Sequence, residues 1–211
     1  MPDPVPAPAP SFPSPPWRLA LDPPVPAPAP RSYWVVEGAL LAGAYPGAPD
    51  PEAHAAKLRT LFGLGLRTFI DLMEEGETNN AGQRFRPYAG QRFRPYADPL
   101  RVLAAGAGEP LAHLRFPVRD AGTTTNDNMA SVLDAIDLSL AAGRPVYLHC
   151  FGGMGRTGTA ACRWMLRHGL ADPGNVFARL TALRQADRER ADRPAPENDA
   201  QRAFVLRDPA A

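Results

Sequence analysis

His149-Cys150-Phe151-Gly152-Gly153-Met154-Gly155-Arg156-Thr157-Gly158 decides how this chain is read. The apolar run Pro145-Val146-Tyr147-Leu148 leads into it from Gly143 and reads as a central strand. Helical sequence follows from about Thr157 to His168, with Gly169 as its stop. The segment therefore joins a strand to a helix N-terminus.

Three requirements of phosphate chemistry meet there. A helix N-terminus presents unpaired N–H groups and the positive end of the dipole. Gly152, Gly153 and Gly155 allow the loop to curl, so that successive amides face one anion. Arg156 follows Cys150 by six positions and closes the loop that Cys150 begins; its planar fork can grip two phosphate oxygens. Dipole, amides and guanidinium all favour the thiolate of Cys150, the form that attacks as a nucleophile.

These residues resemble the protein tyrosine phosphatase signature: His-Cys, five residues, then Arg and Ser/Thr. The chain is similar to compact, dual-specificity-type bacterial phosphatases. A looser resemblance runs over about 32–206, through Trp34, Phe69-Ile70-Asp71, the PVRD segment ending at Asp120, and Pro196–Gln201. The resemblance implies an α/β fold with a central parallel or mixed sheet flanked by helices. It implies a phosphomonoester hydrolase acting through a phosphocysteine at Cys150, with Phe151, Gly152, Gly153, Met154, Gly155 and Arg156 as the phosphate-binding loop. Thr157 would bond the sulfur and help it leave. His149 would orient the loop. Gln201 would orient water, although an exposed helical glutamine is an equal reading. A carboxylic acid must protonate the leaving oxygen and later activate water. Asp120, 30 positions before Cys150, fits the family's position; Asp127 is the competitor, and a helix-capping role suits it.

Rival readings are weaker. Gly153-x-Gly155-x-x-Gly158 also matches a dinucleotide fingerprint, but helical sequence follows where a second strand should end in an acid. A nucleotide-triphosphate loop lacks its Gly-Lys-Ser/Thr. Two readings keep the site and change its use. One is an inositol phosphate or phosphoinositide phosphatase; the other is a non-catalytic phospho-binding pseudophosphatase. The loop's neutral residues favour a phosphorylated protein or peptide, carrying phosphotyrosine or phosphoserine/threonine. No cofactor or metal is expected, since Arg156 and the amides neutralise the phosphate.

Around this segment the alternation of strands and helices continues. Tyr33–Val36 and Leu40–Ala42 read as strands about a Glu37-Gly38 turn. Asp50 caps a helix with Pro51 in its first turn. Arg67–Leu72 and Leu114–Val118 read as strands, and Met129, Val132, Leu133, Ile136 and Leu140 recur at helical spacing. Further helices open at Asp172-Pro173 and Pro196-Glu197. Residues 1–31 are Pro/Ala-rich, with VPAPAP at Val5–Pro10 and Val25–Pro30, and read as a disordered arm before a domain at 32–208. The octapeptide AGQRFRPY occurs twice in succession, at Ala81–Tyr88 and Ala89–Tyr96. It reads as a duplication lengthening a surface loop, or as a basic, aromatic binding loop.

Composition sets the outer limits. With 23 basic and 22 acidic side chains the net charge is +1, so no global field draws the chain to nucleic acid or an anionic membrane. Two cysteines are too few for a disulfide framework, and a reducing, cytoplasmic setting is the simpler reading. Cys162 reads as core packing. No apolar run reaches membrane-spanning length and no secretory signal is read at the N-terminus. A monomer is expected.

Overall fold

The structure, a computed structural model, describes residues 15–21, 25–75, 77 and 94–207. Five strands are named in chain order: β1 (Ser32–Val36), β2 (Leu40–Gly43), β3 (Thr68–Asp71), β4 (Ala112–Arg115) and β5 (Val146–His149). They form one sheet in the order β1-β2-β5-β3-β4. β1 runs antiparallel to β2, and every other pairing is parallel. β5 is thus enclosed by β2 and β3, and all four of its residues are buried. A strand buried on both faces needs a continuous apolar run, which Val146-Tyr147-Leu148 supplies.

The helices are α1 (Pro51–Gly63), α2 (Ala97–Ala107), α3 (Asn126–Ala141), α4 (Gly155–Arg167), α5 (Val176–Arg184) and α6 (Asp199–Leu206). They fall into two groups: α1 packs with α2, while α3, α5 and α6 surround α4. Local chemistry accounts for their starts. The Asp50 carboxylate accepts from Ala53 N, with Pro51 beginning the helix. Asn198 likewise accepts from Gln201 N at α6. Eleven residues of α4 are buried, from Gly155 to Met165, so this helix lies at the centre of its group.

Several expectations need revision. The α3 cap is Thr125, not Asp127, which lies within the first turn. β4 begins and ends earlier than the expected strand, at Ala112–Arg115. α2 was not anticipated; its Ala/Leu-rich sequence is helical and Gly108 closes it in the left-handed region. Nor is the expected arm free in its described part. Ala20 and Ala29 are buried, Trp17, Leu19 and Val25 pack against the core, and Ala20 N donates to Val35 O at 3.1 Å. The Trp17 ring centre lies 6.2 Å from that of Trp164 on α4. Apolar side chains scattered among the prolines give this stretch something to bury, which a Pro/Ala spacer lacks. Residues 1–14 and the first copy of AGQRFRPY lie outside the described residues. Among those described, no helix is long and apolar enough to cross a membrane.

Candidate active site

The site forms where β5 ends and α4 begins. Both neighbours of β5 are parallel to it, so their carboxyl ends lie beside its own. That edge of a parallel sheet is where ligands bind. Cys150 follows β5 directly and is buried, only 3% exposed. Its Sγ accepts a hydrogen bond from Gly153 N at 3.3 Å. This inward amide needs the tight curl that glycine allows. Gly153 has φ +75°, and a Cβ there would meet Gly43 C at 2.6 Å and Ala44 N at 2.7 Å. β2 therefore forms a wall that no larger residue at position 153 could approach.

Arg156 occupies the first turn of α4 and is buried. Its guanidinium donates from Nη1 to Val118 O at 2.9 Å and to Leu72 O at 3.5 Å. Glu77 grips it through both oxygens, at 2.6 and 2.8 Å. Asp120 Oδ1 accepts from Nη2 at 2.8 Å. Burial opposes the cation, but the Glu77 pair, with Cys150 and Asp120, raises its proton affinity further. The arginine is thus held charged and oriented at the mouth of the Cys150 loop.

The candidate acids separate clearly. Asp120 touches Arg156, and its side chain is 40% exposed. The turn after it is tied down from α6: Asn198 Nδ2 donates to Ala121 O at 2.8 Å and Gln201 Nε2 to Gly122 O at 3.1 Å. Asp127 instead lines a separate cavity of about 650 Å³ with Arg163, Arg167 and Leu206. Gln201 is fully buried, contrary to the solvent-exposed reading, with its amide against Gly155. In this resting arrangement Thr157 Oγ1 is directed to Gly43 O at 3.5 Å, and the sulfur is not its partner. Cys162 is buried inside α4, and burial pushes its thiol well above the ordinary range. Both cysteines are free. Among the described residues no cluster of metal-ligating side chains occurs.

His149 lies beneath the loop, fully buried. Its Nδ1 sits 3.2 Å from Cys150 O, an acceptor, so this nitrogen carries the proton. Nε2 then accepts from the Tyr96 hydroxyl at 2.5 Å. Burial holds the imidazole down to about 4, with Asp71 only partly opposing, so the ring is neutral at neutral pH. Burial also keeps the Tyr96 phenol protonated, as a donor must be. Asp71 completes this layer. Burial would raise its carboxyl, but His149, His113, the amide of Met73 and Arg115 outweigh that and bring it down to about 2. Its contacts are Met73 N at 2.9 Å and Arg115 Nη2 at 3.0 Å.

Sequence reasoning did not find Glu77, Tyr96 or the role of Asp71. Tyr96 ends the second AGQRFRPY copy, yet it is a core residue against His149 and not an exposed binding aromatic. Arg94 of the same copy donates to Pro49 O at 3.2 Å, anchoring this end of the loop. Asp71 carried one signal, an acid ending an apolar strand. Glu77 carried none.

The chain is 37% identical over 60 residues to the uncharacterized protein MJECL20 of Methanocaldococcus jannaschii; the match covers 28% of this chain and 41% of that protein. Among solved structures it is similar to kinase associated phosphatase (KAP) with its catalytic-site cysteine replaced by serine. There the TM-score is 0.58 at 16% identity, over 79% of this chain and 83% of the other. It is also similar to TpbA of P. aeruginosa, with a TM-score of 0.57 at 18% identity over 93% and 94% of the two chains. These likenesses establish a phosphatase-type fold, with its mixed sheet flanked by helices. With the family model matched over residues 29–205, the chain belongs to PTP-SAK, the Swiss Army Knife proteins with a DSP-PTPase phosphatase domain.

Proposed function

We propose that this phosphatase domain hydrolyses phosphomonoesters on proteins or peptides, phosphotyrosine foremost, through a phosphocysteine at Cys150. The observation that carries the reading is the Cys150 sulfur, buried at the base of a loop, accepting the Gly153 amide and faced by the charged Arg156. Phosphate oxygens would take the loop amides and the outer edge of the guanidinium, which Glu77 orients from behind. The thiolate then attacks phosphorus in line with the leaving oxygen. The P–O bond to the substrate breaks as S–P forms, and Asp120, protonated for this step, gives its proton to the departing oxygen. In the second step Asp120 takes a proton from water, the water oxygen attacks phosphorus, and the S–P bond breaks to return the thiolate and inorganic phosphate.

Asp120 must leave Arg156 to do this. Its 2.8 Å ion pair holds the resting carboxylate, and an incoming phosphate dianion competes for the same guanidinium. Neutral Phe151, Gly152, Gly153 and Met154 in the loop favour a single phosphate over a polyphosphorylated ring. Steady-state hydrolysis of p-nitrophenyl phosphate, followed by a panel of phosphotyrosine, phosphoserine/threonine and inositol phosphate substrates, tests the reading. Wild-type protein that turns over none of them would leave only a phospho-binding module.

A further inference from the structure

We propose that Arg190 and Arg193, together with Arg31 and Lys57, form a second anion subsite beside the phosphate loop, which takes an acidic side chain flanking the phosphorylated residue of a peptide. This rests on the phosphatase reading above and names the substrate feature that the same site selects.

The geometry centres on Gly152. Arg31 donates from Nη2 to Gly152 O at 3.4 Å, while its Nε is buried with no hydrogen-bond partner among the described residues. Arg190 Nη1 lies 3.8 Å from where a Cβ on Gly152 would stand. Two guanidinium groups therefore meet at one loop position. Lys57 approaches from α1, donating to Tyr45 O at 2.7 Å, and Tyr45 N donates in turn to Phe151 O at 3.1 Å. Beside the loop, Met154, Arg190, Arg193 and Pro194 line a cavity of about 290 Å³, which Glu189 and Glu197 share.

This arrangement is built, and it repels itself. Buried Arg184 donates to the carbonyls of both Arg190 and Arg193, fixing the segment that carries them. Asp187 accepts from the Glu189 and Arg190 amides and shapes the same turn. Among the described residues none of the four cations forms an ion pair with a carboxylate, although Arg67, Arg101, Arg115, Arg156 and Arg167 all do. Burial first, then Arg31 and Arg193, weaken the hold of Arg190 on its proton, with Asp187 and Glu189 only partly opposing. Burial and Arg31 likewise bring Lys57 down to about 8. An anion placed among them relieves this repulsion.

Reach and charge select the occupant. Gly152 is two residues from Cys150, so their Cα atoms lie within roughly 7.6 Å. An extended peptide rises about 3.3 Å per residue, which puts the side chain one to three residues from the phosphorylated one within range. Glu189 and Glu197 offset two of the four cations, so the positive charge that remains matches one carboxylate on a peptide and falls short of a polyanionic lipid headgroup.

The test compares two phosphotyrosine peptides that differ only in Glu or Gln at the flanking positions, with p-nitrophenyl phosphate as a substrate that has no second anion. Wild type should favour the Glu peptide by about tenfold in kcat/KM, a preference that falls with added salt. Arg190→Gln with Arg193→Gln should bring the ratio to about one, and Arg190→Glu should invert it. Turnover of p-nitrophenyl phosphate reports the Cys150 loop and confirms that each variant is folded. Normal turnover with equal kcat/KM for both peptides in wild type overturns the subsite and spares the phosphatase. So does an inositol bisphosphate that outperforms the Glu peptide and loses that advantage in the double variant. Absence of turnover on every substrate overturns the phosphatase reading instead.

Discussion

Glu77 grips Arg156 with both carboxylate oxygens, at 2.6 and 2.8 Å, across 79 residues of sequence. Both side chains are almost fully buried, and the pair fixes the guanidinium of the arginine that closes the Cys150 loop. Truncating one partner of a buried pair leaves the other uncompensated. Glu77→Ala should lower thermal stability, with a cost of up to about 3 kcal/mol, because Asp120 and two carbonyls still hold the arginine. It should also reduce kcat/KM for an aryl phosphate. Glu77→Gln, which keeps the shape, should lose less of both. Denaturant unfolding and steady-state kinetics measure the two effects, and unchanged kinetics in Glu77→Ala would remove Glu77 from the site.

Cys150→Ser should abolish turnover while a phosphorylated peptide still binds, since amides and Arg156 remain. Asp120→Ala should reduce kcat by about 10²–10⁴-fold, the usual size of general-acid effects. Asp127→Ala should leave kcat within about twofold, because Asp127 lines a separate cavity beside Arg163. Paired kinetics of the two aspartate variants decide the assignment, and a reversed pattern would transfer the acid to Asp127.

The buried histidine gives stability a specific acid limb. Burial lowers the folded His149 to about 4, from an ordinary value near 6.5. Above pH 6.5 neither state takes the proton and His149 contributes nothing to pH dependence. Between about 6.5 and 4 the unfolded chain protonates first, so stability falls, by about 3 kcal/mol at most, and levels off below 4. Asp71 adds a second loss as pH drops from about 4 toward 2, since its folded carboxyl is brought down to about 2. Urea unfolding across pH 3–7, with an NMR titration of the His149 ring, checks both signs. A ring titrating near 6.5 would contradict the buried, neutral tautomer.

Trp17 ties the chain before β1 to α4. Trp17→Ala should cost about 1–3 kcal/mol, from lost burial and the ring contact with Trp164. Deleting residues 1–30 should be destabilising, because it uncovers Trp164 and removes the Ala20–Val35 hydrogen bond. Deleting residues 1–14 leaves those contacts in place. Thermal unfolding of the two truncations separates the arm from the docked segment; equal melting temperatures would show that Trp17–Ala29 adds nothing.

Cys162 should resist alkylation while the fold is intact, because burial within α4 disfavours its thiolate. Iodoacetate should therefore modify one thiol, Cys150, and phosphate or vanadate should slow that reaction. Mass spectrometry of the labelled peptides counts the sites. Two modified cysteines under native conditions would place Cys162 in an opened helix.

The sequence by itself determined the glycine-rich loop from Cys150 to Arg156 and the strand and helix that flank it. Spacing between Cys150 and Arg156, glycines where the backbone must curl, and an apolar strand leading into a helix are local features. Local backbone physics converts them into structure whatever surrounds them. Capping at Asp50 and the apolar periodicity from Met129 to Leu140 were legible for the same reason. Only the tertiary structure decided which residues serve that loop from a distance. Glu77, Tyr96 and Gln201 reach Arg156, His149 and Gly155 across long stretches of chain, through side-chain directions that no short-range pattern encodes. The parallel order β2-β5-β3 brings the strand ends and their loops to one edge, and so places Asp120 beside Arg156, while Asp127 lines a separate cavity.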